Sequence, residues 1–215
     1  PKEIIWNGTK EDGTYADGIF FGELSMEYEK GNDVYEKSSQ FVCSNSAPKL
    51  NVVTAPEFFS PDNDGTDDDL FIKLSARCAG KITAWSFTIL NPEESGRAGK
   101  PFWKTSGTSK ITEQIIWNGL SNVSTEKNGQ AERVQSAMDY PWQFTVTDSL
   151  GLTSTVTGKI SVDILVIRDG NVLKMAVPAI IFRSNAADFK TAKEAPGSKV
   201  TPEQAANNER VLKRV

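Results

Sequence analysis

The sequence predicts a mostly β chain built from sandwiches of antiparallel sheets, on three observations. Apolar and polar residues alternate wherever a run is long enough to count, clusters of Gly, Asn, Asp and Ser separate those runs, and helical periodicity is nearly missing between residues 1 and 167. A sheet with one apolar face must bury it against another layer, and two such faces packed together form the sandwich.

The first elements belong to a repeat. Ile-Ile-Trp-Asn-Gly begins at residue 4 and again at residue 115. Each copy is followed by a polar stretch and then an aromatic strand, Asp17-Gly18-Ile19-Phe20-Phe21 in one case and Asp139-Tyr140-Pro141-Trp142-Gln143-Phe144 in the other. A turn comes next, Glu29-Lys30-Gly31-Asn32 or Asp148-Ser149-Leu150-Gly151, and then another strand. One module type is therefore expected twice. Residues 1–48 would supply the C-terminal part of a first module, and residues 49–167 a complete second one. The bare apolar face of Phe20, Leu24, Met26 and Tyr28 is expected either to pair with a module outside this numbering or to dock on the second sandwich.

Within the second module the alternation is regular. Leu70, Ile72, Leu74 and Ala76 share one face, with Phe71, Lys73, Ser75 and Arg77 opposite. Trp85, Phe87 and Ile89 alternate with Ser86 and Thr88, and Trp142, Phe144 and Val146 with Gln143, Thr145 and Thr147. From Lys159 to Ile167 the run grows denser, and Leu165 and Ile167 begin to bury the second face, as a closing strand near a junction would.

Residues 168–215 read differently. The apolar run Val172 to Phe182 is interrupted by Pro178, and a loop passes through Pro196-Gly197-Ser198. Thr201-Pro202-Glu203-Gln204 then starts a helix: Thr201 can cap the first turn, Pro202 suits the first helical position and Gln204 can reach back. Val211, Leu212 and Val215 are expected on one helical face.

Composition limits the chemistry. There is no histidine, which removes the usual general base near neutral pH, the Ser-His and Cys-His pairs and the commonest zinc ligand. Lys plus Arg number 24 against 28 Asp plus Glu, and neither sign is concentrated as a nucleic-acid footprint requires, so nucleic acid is not expected as a partner. Cys43 and Cys78 form no CxxC pair; burial as small apolar side chains and a disulfide both remain open. No enzymatic activity is expected. The carboxylate pairs Glu93-Glu94 and Asp67-Asp68 read as solvated surface, and a glycan hydrolase would need two carboxylates facing each other across a cleft.

The one chemically distinctive segment is Asp62-Asn63-Asp64-Gly65-Thr66-Asp67-Asp68-Asp69. Alternating carboxylates about a glycine suit a hard cation such as Ca²⁺, and Asp62, Asp64 and Asp68 are the candidate metal ligands. Aligned on the helix-loop-helix calcium pattern, Asp62, Asp64, Gly65 and Asp68 fall at positions 3, 5, 6 and 9, but Ser60 stands at position 1 and Phe71 at position 12. The alternative is an Asx-turn with solvated carboxylates leading into a strand. Among the tryptophans, alternation assigns Trp85 and Trp142 to the core; Trp103 is the best candidate for an exposed contact, with the core as the first expectation for it too.

Two resemblances attach to these residues. Phe58 through Ile72, together with Trp117-Asn118-Gly119 and the aromatic strand before Asp148, resemble immunoglobulin-like modules of bacterial surface and flagellar hook-capping proteins; the polar insertion from Leu120 to Ala137 departs from that pattern. Val177 to Phe189 is similar to the first strand and loop of the OmpA-like domain of peptidoglycan binders, and Asn208 to Val215 to its first helix. In that family the Asp and Arg that hold the peptide stem lie beyond the second strand, so the resemblance implies peptidoglycan as partner through residues past Val215, with 168–215 as the domain's incomplete start. The order of modules resembles that of spirochaete envelope proteins. It implies an envelope or periplasmic location with a secretion signal upstream, a scaffolding role, and further envelope proteins as partners. The alternative is a protein- or glycan-binding surface module without peptidoglycan binding.

Overall fold

The computed structural model describes residues 3–31, 33–93, 96–126 and 128–214, and it is mostly β. Four short strands come first: β1 (Gly18–Phe20), β2 (Glu23–Glu27), β3 (Asp33–Lys37) and β4 (Phe41–Cys43). They form two antiparallel ribbons, β1 with β4 and β2 with β3, with Ile19 opposite Val42 and Met26 opposite Val34. The turn between β2 and β3 falls where Glu29-Lys30-Gly31 predicts it, Gly31 N–H donating to Tyr28 O at 2.8 Å; Asn32 lies outside the described residues.

The chain then enters a unit of two facing sheets. Its strands are β5 (Lys49–Ala55), β6 (Phe58–Phe59), β7 (Leu70–Arg77), β8 (Ile82–Leu90), β9 (Pro101–Gly107) and β10 (Gln114–Trp117). A side hairpin of β11 (Leu120–Thr125) and β12 (Ala131–Arg133) follows, and then the long pair β13 (Asp139–Asp148) and β14 (Thr153–Val162). One sheet has the order β10-β7-β5 and the other β6-β14-β13-β8-β9, antiparallel except where β6 runs parallel to β14. The polar insertion 120–137 is in part this hairpin, whose β11 lies beside the edge strand β9: Asn122 spans it by accepting from Lys104 N–H at 3.0 Å and donating to Lys104 O at 2.7 Å.

Alternation explains why the two sheets close. Leu70, Ile72 and Leu74 on β7 and Trp117 on β10 meet Trp85, Phe87 and Ile89 on β8 and Tyr140, Trp142, Phe144 and Val146 on β13 in one buried cluster. Trp117 is its centre, with Phe59 and Phe102 at ring distances of 5.5 and 6.2 Å. Trp85 and Trp142 are buried as their rows require. Trp103, for which the core is expected ahead of an exposed contact, is half-buried and packs 6.4 Å from Trp117. The denser run from Lys159 is two strands, β14 and β15 (Leu165–Asp169): Ile160, Val162, Ile164 and Leu165 are buried, while Ile167 faces solvent because β15 leaves the sheet to pair with β16 (Val172–Ala176).

The apolar run from Val172 is a strand only to Ala176, and 177–200, where the OmpA-like resemblance implies a first strand within Val177 to Phe189, carry no strand or helix. Pro178 lacks the N–H a ladder needs. Instead Asn208 on α1 (Pro202–Leu212) clamps the segment, accepting from Ile181 N–H at 3.0 Å and donating to Ile181 O at 2.6 Å. The helix starts as its sequence requires, with Thr201 Oγ1 accepting from Gln204 N–H at 3.2 Å and Gln204 Oε1 accepting from Thr201 N–H at 2.9 Å. Val211 is buried with Ala137 and Ile164, whereas Leu212, expected beside it, is exposed; Val215 lies outside the described residues. Among the described residues no helix is long and apolar enough to cross a membrane.

Candidate functional site

The acidic loop runs from β6 into β7, with strands rather than helices at both ends. Three of its residues take left-handed backbone conformations: Asn63 at φ 65°, Gly65 at φ 93° and Asp67 at φ 54°. Asn, Asp and Gly adopt that region at the least cost, so the composition permits the tight coil. The carboxylates fasten it. Asp68 Oδ1 accepts from Asn63 N–H at 2.5 Å and Asp68 Oδ2 from Gly65 N–H at 2.8 Å, while Asp64 Oδ1 accepts from Thr66 N–H at 2.7 Å. Asp62 reaches across the molecule, its Oδ2 accepting from Val166 N–H at 2.8 Å.

These turns bring the three candidate ligands together. Asp62, Asp64 and Asp68 each place a carboxylate oxygen within 4.8 Å of the others, with Asp62 and Asp68 half-buried and Asp64 exposed. Asp62 Oδ1 is buried with no hydrogen-bond partner among the described residues. An all-oxygen set with one orphaned carboxylate oxygen fits a hard divalent cation. The same geometry contains the Asx-turns of the alternative reading, since Asp64 and Asp68 already accept backbone N–H groups. Phe71, at the position of the bidentate glutamate, is a β7 residue and offers no ligand. Asp67 and Asp69 are exposed and stand outside the cluster.

A second constellation lies at the same end of the sheets, and nothing in the local sequence announces it. Asp139 at the start of β13 accepts from Arg214 Nη2 at 2.6 Å, Lys159 Nζ at 3.0 Å and Ser161 Oγ at 3.0 Å. Arg214 also donates to Val162 O at 2.7 Å and lies 5.5 Å from the centre of the Phe58 ring. Its side chain is 6% exposed and that of Asp139 19%. Burial pushes the Asp139 carboxyl up, but the Arg214, Lys159 and Ser161 hydrogen bonds and the Arg214 charge outweigh it and hold the group below the usual carboxylate range. Arg210 adds a guanidinium 3.4 Å from Met138 Sδ. The helix is thus locked to the end of the two-sheet unit.

The remaining candidates separate. Glu93 is exposed, and Glu94 lies outside the described residues. Cys43 and Cys78 are both free, half-buried thiols in different parts of the chain, and burial raises the Cys78 pKa with help from Asp148. Glu132 is paired with Arg97 and bonded to Ser124 Oγ at 2.6 Å. Burial opposes its ionisation, but those partners prevail and lower its pKa. No protein-family model and no curated protein matches the chain.

Proposed function

We propose that this chain is a non-enzymatic structural part of a bacterial cell envelope, in which immunoglobulin-like modules act as spacers or partner-binding surfaces. In this reading residues 49–167 are one such module and residues 1–48 the C-terminal part of another. Residues 168–215 begin an OmpA-like domain that would associate with peptidoglycan in the periplasm. The observation that carries the reading is the joint at Asp139 and Arg214. A spacer must transmit position, and here an ion pair, a backbone hydrogen bond and a ring contact fix the C-terminal segment to the sheets. The two carboxylates with shifted pKa in that region, Glu132 and Asp139, are both held down by cations, the direction opposite to the one a general acid needs. Asp62, Asp64 and Asp68 would hold Ca²⁺ as a brace, since Asp62 already ties the loop to β15.

Co-sedimentation with purified sacculi tests this. The parent protein with the complete OmpA-like domain is expected to pellet with sacculi, and the 215-residue chain to stay in the supernatant. If the parent also stays in the supernatant, the anchoring role is wrong. Soluble muropeptides released by either protein would overturn the non-enzymatic reading.

A second reading, a protein- or glycan-binding module, is favoured by one observation. On the outer face of β10-β7-β5, Ile116 lies opposite Phe71 and Phe71 opposite Ala55, and Ile116, Phe71 and neighbouring Val53 are exposed. A contiguous apolar patch of that kind marks an interaction surface.

A further inference from the structure

The internal repeat is structural as well as sequential. Trp6 Nε1 donates to Thr9 O at 2.7 Å, and Trp117 Nε1 to Leu120 O at 2.9 Å. Asn7 Oδ1 accepts from Thr9 N–H at 3.1 Å, and Asn118 Oδ1 from Leu120 N–H at 3.3 Å. Gly8 and Gly119 share positive φ, 79° and 76°. Ala16 N–H closes on Gly8 O at 2.8 Å as Val134 N–H closes on Gly119 O at 2.9 Å, and each copy continues into a hairpin.

The two copies differ in what covers them. Trp117 is 2% exposed in the core between the two sheets, whereas Trp6 is 45% exposed and packs against Phe20 and Phe41 of the β1–β4 ribbon, at 5.5 and 5.9 Å. The result is an open groove lined by Ile4, Trp6, Leu24, Met26, Phe41 and Lys37, whereas Ile115 and Trp117, the counterparts of Ile4 and Trp6 in the repeated pentapeptide, are buried. Two-stranded ribbons with free edges are marginal alone and accept added strands.

The matching surface is at the other end of the same chain. Residues 1–48 enter the two-sheet unit at Lys49, beside Arg77, while β15 and β16 leave it beside Asp62, at the far end of β5. Strands of this length separate the two ends by about 20 to 30 Å. Hairpin β15–β16 presents Leu173 and Met175, both exposed, on one face with Arg168 across from Leu173. The charges complement: residues 1–48 carry nine acidic and four basic side chains, and residues 168–215 nine basic and five acidic.

We propose that the chain self-associates head to tail, hairpin β15–β16 of one copy lying in the groove of residues 3–48 of the next. The contact joins two different surfaces at opposite ends, so it is not a self-complementary two-fold contact, and each copy added leaves a free groove and a free hairpin for the next. Opposite net charge brings the ends together and makes the contact sensitive to salt. The proposal needs neither the envelope location nor peptidoglycan, so either can fail without the other.

Sedimentation equilibrium of the full chain tests it. At low salt the average mass is expected to rise with concentration past the 23.6 kDa monomer without levelling at a dimer, and to fall in about 0.5 M salt as charges are screened. Leu24→Lys with Met26→Lys disables the groove, and Leu173→Glu with Met175→Glu disables the hairpin. All four residues are exposed, so far-UV circular dichroism should be unchanged. Each double variant alone should associate at least tenfold more weakly, and the two mixed should form a 1:1 heterodimer that grows no further. A wild-type chain monomeric up to about 1 mM overturns the proposal and assigns the groove to another partner. Self-association of either variant at wild-type strength, or a mixture that stays monomeric, overturns it as well.

Discussion

Two cross-strand pairs set tryptophan against glycine: Trp85 opposite Gly107 and Trp142 opposite Gly158. In both, the indole lies over the glycine, so a Cβ there would collide with the ring. Gly158→Ala is therefore expected to lower stability by about 1–3 kcal/mol through overpacking, read as a shift of the urea midpoint at unchanged slope. Trp117→Ala should cost about 3–5 kcal/mol, because it empties the centre of the core between Phe59 and Phe102. Trp6→Ala, the same position in the other copy, should leave the midpoint of the two-sheet unit within about 0.5 kcal/mol, because Trp6 packs on Phe20 and Phe41 while Trp117 belongs to the core of the two sheets. A comparable loss for Trp6→Ala would mean that residues 3–48 pack on the second unit. Period-2 alternation made the buried tryptophans readable, but the glycine each one covers lies on another strand and carries no local signal.

At the scale of elements, helix α1 combines a local start and a distant anchor. Thr201→Ala removes the cap and should cost the helix about 1 kcal/mol. Asp139→Ala should loosen α1 by about 1–3 kcal/mol, less than a fully buried pair because Asp139 keeps some solvent contact, and amide exchange should accelerate in α1 while β13 stays protected. The pH dependence has a definite sign. The folded pKa of Asp139 lies below its unfolded value, so its contribution is complete above that unfolded value, about 3.9, and disappears as pH falls through the folded pKa. Exchange in α1 should thus speed up, beyond the intrinsic pH effect, only below about pH 4, and Asp139→Asn should flatten that response. The cap was legible because its partners are three residues apart; the anchor was not, because its partners are 75 residues apart.

The acidic loop also acts between elements. Ca²⁺ is expected to raise the melting temperature of the wild-type chain, equivalent to about 2.7 kcal/mol at a hundredfold excess over Kd, and Asp68→Asn should remove most of that gain. Equal melting temperatures with Ca²⁺ and with chelator would leave the loop as a set of Asx-turns. Alternating carboxylates about Gly65 singled out Asp62, Asp64 and Asp68 in advance. The bond from Asp62 to Val166 could not be foreseen, since 104 residues separate them.

For the whole molecule, the sequence by itself determined the β class, the alternating rows that became the core, the repeated Trp-Asn-Gly turn, the capped start of α1 and the acidic loop. Each depends on residues at most a few positions apart, where the period of the backbone or the reach of a side chain sets the outcome. Tertiary structure alone decided the pairing of β6 with β14, the lock of Arg214 on Asp139 and the bareness of the first repeat. Those depend on which distant strand or side chain arrives to bury a surface or satisfy a charge. Identical pentapeptides yield a buried tryptophan at 117 and an exposed one at 6, because burial belongs to the neighbours that cover a residue.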